Sequence, residues 1–362
     1  MYNLRLFFAG CLLCIFPLLL SAQQFTITGT TEGLDEGTWI YLKKASPQII
    51  LDSAQVTQGR VTLKGKINEK AEQALLHTAK FSNYVIFWLE AAPMKMHLRN
   101  GAFKQATFSG SATQLENEKL RNRIDPLRHQ EDSLLNLLST NKDTDVKNAI
   151  RTKIEAINRE ERATYIDFVT THPHSVIAAN ILKIYSSTWG KEKTQELYEK
   201  LSPEIKSSTY GRDIYDYLTL AQDIRVGGKY ADFEQTDTEG KPVKLSAIKA
   251  KYILLEFWGS WCGPCRAENP NLVKTYQAYR PKGFEILGVA ADDNKAQWLQ
   301  AIKQDKLPWT NVCDLKGDQN KAVLIYGINA FPTNFLIDEN GIIVAKNLRG
   351  EALQKKLAEL LP

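Results

Sequence analysis

The chain has 362 residues, more than one compact hydrophobic core usually organises, so two or three domains are expected. A hydrophobic content of 43% and a charged content of 24% are typical of a soluble globular protein. The 46 basic and 41 acidic residues are spread along the chain and give a net charge of +5. Because no basic block is interleaved with aromatic residues, the composition gives no support to nucleic-acid binding.

The N-terminal segment, residues 1–22, has the pattern of a secretory signal peptide. Arg5 supplies a positive charge, residues 6–20 are almost wholly apolar, and cleavage is expected after Ala22. The apolar run is short for a membrane-spanning helix, which needs roughly 20 such residues. We therefore expect an exported protein of the periplasm or cell envelope. An uncleaved anchor and lipidation at Cys11 are the alternatives.

The cysteines fall into two C-x-x-C pairs and one single residue. Cys11 and Cys14 lie within the apolar leader, where cysteine acts as a small apolar residue. The expected mature chain then carries only Cys262, Cys265 and Cys313. Three cysteines in so long an exported chain do not form a disulfide scaffold, so a reactive pair and a bystander are predicted. For the bystander Cys313, an inert thiol is expected, and a regulatory or intermolecular disulfide is the alternative.

Residues 23–110 are predicted to form a β-rich domain. Apolar and polar residues alternate, or apolar residues form short runs, in the segments 25–29, 39–42, 61–65 and 85–89. Short strands with closely spaced turn signals favour an antiparallel sandwich or barrel.

Residues 111–225 are predicted to form a helical connector. Apolar residues such as Leu120 and Ile124 recur there at helical spacing. Ser175 is suited to cap a helix over residues 176–185. Breaks between helices are expected near residues 141–145 and 171–174.

Residues 226–362 alternate between apolar runs and helix-period segments, which is typical of a βαβ domain. Strands are predicted at 252–257, 284–290, 334–337 and 342–345. Helices are predicted at 264–279, 295–304, 319–326 and 351–361. The turn Asp338-Glu339-Asn340-Gly341 favours a hairpin between the last two strands, so the sheet is expected to be mixed. Val226-Gly227-Gly228 is predicted to be a hinge.

The pair Cys262 and Cys265 lies where the strand at 252–257 gives way to a helix. Unpaired N–H groups and the helix dipole at such a site stabilise a thiolate on Cys262. The two-residue spacer places Cys265 within one helical turn, and Pro264 occupies a position where a missing N–H costs nothing. We predict that Cys262 attacks a partner disulfide and that Cys265 resolves the mixed disulfide.

The same spacing also occurs in half of a zinc site. The remaining cysteine, Cys313, and five scattered histidines, all before Gly190, do not favour the further ligands that zinc needs. No metal and no cofactor other than the redox-active disulfide are therefore expected. A purely structural disulfide is the second alternative.

The motif Trp261-Cys262-Gly263-Pro264-Cys265 is identical to the active-site motif of thioredoxin. Its flanks, Arg266-Ala267-Glu268-Asn269-Pro270 and the opening Tyr230-Ala231-Asp232-Phe233, resemble the extracytoplasmic TlpA and ResA type of thiol–disulfide oxidoreductase. The resemblance covers residues 228–361 and implies a thioredoxin-like α/β fold. The preceding regions more loosely resemble the N-terminal domain that accompanies such modules in some envelope proteins, which implies no function.

The resemblance also implies a substrate-binding surface. Pro332 stands where the family carries its cis-proline loop, so the backbone of Phe331 would pair with an extended substrate. Without the family, Phe331-Pro332 indicates only the start of a strand. Trp261, with Gly263 and Pro264, is expected at the rim near the thiols.

Two carboxylates complete the predicted site by resemblance. Glu256 lies six residues before Cys262, where thioredoxin has a buried aspartate, and would accept the proton of Cys265. A partner for a nearby lysine is the alternative. Glu268 resembles the acidic residue that tunes thiol acidity in the ResA group, and its alternative is a solvated helix carboxylate. Trp258 is expected either below the thiols or in the core.

The spacer Gly263-Pro264 is found in reducing thioredoxins, whereas oxidases of this fold commonly carry histidine before the second cysteine. A protein-disulfide reductase is therefore expected. The resemblance implies a membrane thiol transporter of the DsbD kind as electron donor. Its implied clients are oxidised envelope proteins, among them apocytochromes in cytochrome c biogenesis.

Other functions are less favoured by the sequence. A thiol peroxidase expects proline and threonine where Leu255 and Gly259 stand. A binding or assembly protein, in which residues 23–225 recognise a partner or form a homodimer, would make the redox pair auxiliary. Dimerisation would also permit disulfide isomerase activity.

Overall fold

The computed structural model describes residues 23–45 and 49–362, so the predicted signal peptide with Cys11 and Cys14 lies outside the described residues. The chain divides into two compact units, one ending at Gln114 and one spanning Leu115–Pro362.

The described residues of the first unit form two four-stranded sheets. Its strands are β1 Gln23–Glu32, β2 Trp39–Lys44, β3 Ile50–Gln55, β4 Arg60–Ile67, β5 Ala71–Thr78, β6 Tyr84–Glu90, β7 Pro93–Arg99 and β8 Thr107–Ser109. One sheet has the order β4-β1-β7-β8 and the other β3-β2-β5-β6. Most neighbours are antiparallel, but β1 and β7 run parallel.

The two sheets enclose one apolar cluster. Alternate residues of each strand point into it, as Phe25 and Ile27 of β1 and Ile40 and Leu42 of β2 do. Strand alternation explains this arrangement, because successive side chains face opposite sides of a sheet. The predicted β-rich fold is confirmed as a sandwich of two sheets.

Among the described residues of this unit, one acidic side chain is buried. Glu72 of β5 is 4% exposed. Its carboxylate lies 2.8 Å from the ammonium of Lys44 on the neighbouring strand β2. The burial of this charge is therefore compensated by a direct ion pair.

Helices follow the sandwich, as predicted. They are α1 Ala112–Thr140, α2 Thr144–Thr171, α3 Val176–Trp189, α4 Lys191–Lys200, α5 Pro203–Ser207 and α6 Thr209–Leu220. Ser175 caps α3, since its hydroxyl accepts hydrogen bonds from the N–H groups of Ile177 and Ala178 at 3.1 and 3.3 Å. Over the described residues, no helix combines the length and apolar character needed to cross a membrane.

The remainder of the second unit is a mixed five-stranded sheet with flanking helices, which confirms the predicted thioredoxin-like fold. Its elements are β9 Glu234–Thr236, β10 Pro242–Lys244, β11 Tyr252–Trp258, α7 Gly263–Tyr279, β12 Phe284–Ala290, α8 Lys295–Asp305, β13 Thr310–Val312, α9 Lys321–Ile325, β14 Thr333–Asp338, β15 Ile343–Lys346 and α10 Gly350–Leu360. The sheet order is β13-β12-β11-β14-β15, and β9 pairs with β10 separately. β11 is parallel to β12 and antiparallel to β14.

Apolar clusters cover both faces of this sheet. Leu255 and Phe257 of β11 belong to the cluster that includes α9. Leu254 and Trp258 belong to the cluster that includes α7, α8, α10 and both cysteines of the pair. Glu256, between them in the alternation, therefore points toward the cysteine-bearing face.

The prediction of a hinge at residues 226–228 is wrong. The N–H of Gly227 donates to the carbonyl of Ile343 at 2.8 Å, and the N–H of Ile343 donates to the carbonyl of Gly228 at 2.9 Å. These bonds attach the segment to β15. Gly227 and Gly228 therefore belong to a segment that is hydrogen-bonded to the sheet, and not to a flexible hinge.

Helices α3 and α6 also contact the region around α9 within the second unit. The N–H of Gln222 donates to the carbonyl of Ile325 at 3.0 Å, just beyond α6 and at the end of α9. The ammonium of Lys183 on α3 lies 3.1 Å from the carboxylate of Asp318, shortly before α9. Helices α3 and α6 therefore border the α9 side of the redox domain.

Candidate active site

Cys262 and Cys265 are joined by a disulfide at the N-terminus of α7, with their Cα atoms 5.3 Å apart. Cys262 is the N-cap residue, and its sulfur accepts a hydrogen bond from the N–H of Cys265 at 3.2 Å. Both side chains are buried, whereas Gly263 and Pro264 between them are exposed. When the bond is reduced, the same N–H and the helix dipole stabilise a thiolate on Cys262.

The loop before Cys262 is held by residues that the sequence analysis missed. Asp292, which is 1% exposed, accepts hydrogen bonds from the N–H group, at 3.0 Å, and from the hydroxyl of Ser260. Arg266 donates to the carbonyl of Ser260 at 3.2 Å and is paired with Asp305 on α8. Burial raises the pKa of Asp292 above its ordinary value. These contacts fix the approach of the chain to the first cysteine.

An apolar surface lies beside the disulfide. Trp261 is 61% exposed, and its indole N–H donates to the carbonyl of Ala291 at 3.0 Å. Its ring meets that of Phe331 edge to face, with centroids 5.4 Å apart. The peptide bond between Phe331 and Pro332 is cis, as the family resemblance implied. The predicted substrate-binding residues are therefore neighbours in space.

Glu256 is 3% exposed within the sheet. Burial raises its pKa from 4.5 to about 8, Asn334 and Arg349 oppose this rise, and Glu268 adds to it. Its Oε2 atom has no hydrogen-bond partner among the described residues. Arg349, and no lysine, is the cation that acts on this carboxyl group. A carboxyl with a pKa near neutrality is suited to accept and return a proton.

Glu268 connects two helices. Its Oε1 atom accepts hydrogen bonds from the N–H of Gly350, at the start of α10, at 2.9 Å and from the amide of Asn271 at 2.8 Å. Arg349, the N-cap residue of α10, has no side-chain capping bond. Glu268 therefore supplies an acceptor and a negative charge to the N-terminus of α10.

Residues 348–350 link several parts of the site. Asn334 exchanges two hydrogen bonds with the backbone of Leu348, at 2.8 and 2.9 Å. The guanidinium of Arg349 donates to the carbonyl of Pro332. With the Glu268 bond to Gly350, this segment joins the cis-proline loop, the strand beside Glu256 and the helix that bears the cysteines. Nothing in the local sequence pattern distinguishes Asn334 or Arg349 from surface polar residues.

Cys313 and Trp258 lie close to the site but are buried. Cys313 is 1% exposed, its thiol donates to the carbonyl of Asp292 at 3.4 Å, and burial raises its pKa to about 11. The indole of Trp258 donates to the side chain of Asn311 at 3.1 Å. Trp258 thus belongs to the core beneath the redox pair.

A mixed sheet, a buried disulfide at a helix N-terminus, a buried glutamate and an adjacent cis-proline define the class. The chain is a thiol–disulfide oxidoreductase of the thioredoxin superfamily.

Comparisons with known proteins agree with this class. The model of the AhpC/TSA family matches residues 226–346. A domain of unknown function, DUF4369, matches residues 25–117.

Relatives and solved structures resemble the redox domain. The thiol-disulfide oxidoreductase ResA of Bacillus cereus is 32% identical over 171 residues, which is 47% of this chain and 96% of that protein. ResA of Geobacillus thermodenitrificans is 31% identical over 156 residues, 42% of this chain and 88% of its own length. A crystal structure of the thioredoxin domain of a Bacteroides vulgatus thiol-disulfide oxidoreductase is 37% identical, covering 39% of this chain and 100% of that domain, with a TM-score of 0.37. The chain belongs to the ResA-like family of thiol–disulfide oxidoreductases, which confirms the resemblance.

Proposed function

We propose that this protein reduces disulfides of other proteins outside the cytoplasm. The observation that carries the proposal is the Cys262–Cys265 disulfide at the start of α7, where the sulfur of Cys262 accepts a backbone N–H. That environment stabilises the thiolate form of Cys262 more than water stabilises the thiolate of a free cysteine. The Gly263-Pro264 spacer, which is shared with reducing thioredoxins, supports the reducing direction.

The reaction transfers two electrons from the dithiol form of the protein to a client disulfide. The Cys262 thiolate attacks one client sulfur, a mixed disulfide forms, and the other client sulfur leaves as a thiolate that takes up a proton. Cys265 then loses its proton and attacks the sulfur of Cys262. The second client thiolate leaves, and the Cys262–Cys265 disulfide is formed.

Glu256 is proposed as the group that accepts the proton of Cys265. It lies on the face of β11 that carries the cysteine cluster, and its pKa of about 8 leaves it able to gain or lose a proton near neutral pH. Its burial in an apolar strand keeps bulk water from competing for that proton. Glu268, which is hydrogen-bonded to α10, is proposed to influence the site through its charge.

Each turnover leaves the protein oxidised, so an electron donor is needed. A membrane thiol transporter of the DsbD kind is proposed as that donor, and oxidised envelope proteins, including apocytochromes, as clients. The apolar leader in residues 1–22 supports a periplasmic or envelope location. The proposal requires no metal or other cofactor. A homodimer is proposed as a further property of the mature chain, which light scattering will test.

Reductase activity can be tested by insulin reduction with dithiothreitol. The mature wild type should accelerate insulin precipitation, and Cys262→Ser should abolish the acceleration. Cys313→Ser is the matched control, because the buried thiol takes no part in exchange and its loss should leave the rate unchanged. If the wild type is no faster than Cys262→Ser, the reductase proposal fails.

The clients can be identified by trapping. A Cys265→Ser variant cannot resolve the mixed disulfide, so it should accumulate complexes with envelope proteins that reducing agent releases. The double variant Cys262→Ser/Cys265→Ser should trap none. Recovery of no complexes from Cys265→Ser would show that the redox pair does not act on envelope proteins.

A further inference from the structure

A cleft of about 230 Å³ lies within the second unit between helices α3 and α6 and the segment that leads from α9 to the cis-proline. The apolar residues that line it come from the helical region on one side and from the redox domain on the other. Ile184 belongs to α3 and is 56% exposed, Leu324 belongs to α9, and Ile328 and Phe331 belong to the loop that follows. Residues of both the helical region and the redox domain therefore line the cleft.

Several polar groups at the cleft are engaged with neighbouring side chains, but the buried Oε1 atom of Gln319, which also lines the cleft, has no hydrogen-bond partner among the described residues. The ammonium of Lys183 lies 2.9 Å from the carboxylate of Asp213 and 3.1 Å from that of Asp318. The amide of Asn329 donates to the hydroxyl of Thr188 at 3.2 Å. The cleft consequently offers a ligand its apolar wall and the one acceptor of Gln319.

The cleft is continuous with the surface beside the disulfide. Phe331 lines the cleft and also meets the exposed ring of Trp261. The same residue packs against the apolar cluster that contains Cys262 and Cys265. Within the described part of the chain, the backbone N–H and C=O of Phe331 make no hydrogen bond, so they are free to pair with an extended chain.

We propose that this cleft receives one large apolar side chain of the client polypeptide, from a residue close in sequence to the cysteine that Cys262 attacks. The inference rests on the proposed function and deepens it, because it names a feature of the substrate. An extended chain that pairs with a backbone gains affinity from main-chain bonds and specificity from pockets for alternate side chains. The Phe331 backbone and the cleft supply these two elements side by side.

The size of the cleft fits this occupant. Sites for drug-sized ligands have volumes of about 300–1,000 Å³, so 230 Å³ suits a side chain better than a free cofactor. Burial of an aliphatic or aromatic side chain against Ile184 and Phe331 removes apolar surface from water on both partners. The helical region thereby contributes to client selection, although Cys262 and Cys265 lie outside the helical region.

The test uses peptides that each carry one intramolecular disulfide. In each pair of peptides, one position within about four residues of a cysteine carries leucine in one peptide and alanine in the other. The value of kcat/KM for reduction by the full mature protein is measured for every peptide. With the wild type, leucine should exceed alanine by about 10-fold at one position, the discrimination that an apolar pocket typically gives. Oxidised glutathione, which has no large apolar side chain, is the reference substrate.

Variants then assign the preference to the cleft. Ile184→Gln should remove the preference for leucine and leave glutathione reduction unchanged, while Ile184→Leu should retain the preference. Val226→Gln is the matched control, because Val226 is also aliphatic, is 55% exposed and does not line the cleft. It should behave as the wild type does.

The outcomes separate the two proposals. If the wild type reduces glutathione and the peptides with no preference at any position, or if Ile184→Gln keeps the preference, the cleft inference is overturned and the reductase proposal stands. If the wild type reduces no disulfide at all, both proposals are overturned.

Discussion

Two buried glutamates, one in each sheet system, have opposite surroundings. Glu72 in the N-terminal sandwich is 4% exposed and lies 2.8 Å from the ammonium of Lys44. Glu256 in the thioredoxin-like sheet is 3% exposed, and its Oε2 atom has no partner among the described residues. Burial raises the pKa of Glu256 to about 8. A carboxylate held by a cation serves the fold, whereas a buried carboxyl with a perturbed pKa on the face that carries the redox pair has the properties that the proposed proton transfer requires.

The contrast also indicates where this molecule gives up stability. An ion pair compensates the burial of charge at Glu72, but at Glu256 the protein keeps the group neutral over much of the pH range instead. The redox domain therefore retains a destabilising feature that the sandwich avoids, at the residue proposed to accept the proton of Cys265.

The largest expected effect concerns the resolving step. In Glu256→Gln, release of the mixed disulfide should be slower by about 10²–10⁴-fold, the usual contribution of a positioned general base. In the wild type this rate should rise as pH increases through about 8, because the carboxylate form is the base. The variant should lose that rise.

Stopped-flow measurement of thiol release from a preformed mixed disulfide, across pH, reports the step directly. Glu72→Gln is the control and should retain the wild-type profile. An unchanged profile in Glu256→Gln would remove Glu256 as the base and reduce the contrast between the two glutamates to one of stability.

The second prediction concerns stability, and its sign differs between the two sites. The pKa of Glu256 in the folded protein is raised from 4.5 to about 8, so the neutral carboxyl is the form that the folded state favours. The free energy of unfolding is therefore highest below about pH 4.5, and this contribution is lost as pH rises through about 8. The free energy of unfolding of Glu256→Gln should therefore increase relative to that of the wild type, by roughly 2–4 kcal/mol as the pH is raised from about 5 to about 8.5. Glu72→Gln should instead lose about 1–3 kcal/mol at neutral pH, because Lys44 loses its charged partner.

Urea unfolding of the oxidised protein at several pH values measures both effects, with each transition assigned to the unit that contains the substitution. If Glu256→Gln is less stable than the wild type at every pH, the folded protein stabilises the charged carboxylate and the pKa of Glu256 is not raised.

Arg349 provides a smaller and more specific test. Its positive charge lowers the pKa of Glu256, and its guanidinium donates to the carbonyl of Pro332. Arg349→Gln should move the pH profile of the resolving step upward by roughly half to one unit, since the charge is partly screened by solvent. Arg349→Lys should leave the profile near that of the wild type. A profile that moves equally in both variants would assign Arg349 a geometric role only.

The smallest effect is expected at Glu268. Glu268→Ala removes an acceptor from the N–H of Gly350 and should destabilise the second unit by about 0.5–2 kcal/mol, as loss of a helix cap does. Glu268→Gln retains an acceptor and should lose less. Thermal unfolding of the two variants gives the comparison. Equal losses would show that the charge at α10, and not the hydrogen bond, is what stabilises the helix.

The sequence predicts the redox pair well because its determinants are local. An apolar strand, a two-residue spacer and Pro264 define a strand–helix junction without any knowledge of the rest of the fold, and α7 begins there. The location of the cis bond at Pro332 and the choice of Glu256 as a candidate base came from family resemblance. A buried glutamate and a strand-initiating proline have no distinguishing local pattern.

Sheet context explains one of the strands that the sequence analysis missed. Residues 71–78 include Ala71, Glu72, Ala74, Leu75 and Leu76, which favour helices in isolation. They form β5 because β2 and β6 pair with both of its edges. Strand preference depends on such neighbours, which are distant in sequence.

The supporting residues of the active site were missed for a related reason. Asp292, Asn334 and Arg349 are polar residues of kinds common on surfaces, and each reaches the site only through the order of the strands. Asn334 faces Glu256 because β14 pairs antiparallel with β11 in a particular register. No periodicity in the sequence specifies that register.

The burial of Cys313 has a practical consequence for work in living cells. Its thiol is 1% exposed and has a pKa of about 11, so very little of the nucleophilic thiolate is present at neutral pH. A brief pulse of a membrane-permeant alkylating tag applied before denaturation should therefore leave Cys313 unmodified and react at Cys262, whose sulfur accepts a backbone N–H at a helix N-terminus, only when the Cys262–Cys265 pair is reduced. The mobility of the native, unmutated protein on a gel then reports the fraction in the dithiol state, and with it the electron supply of its compartment.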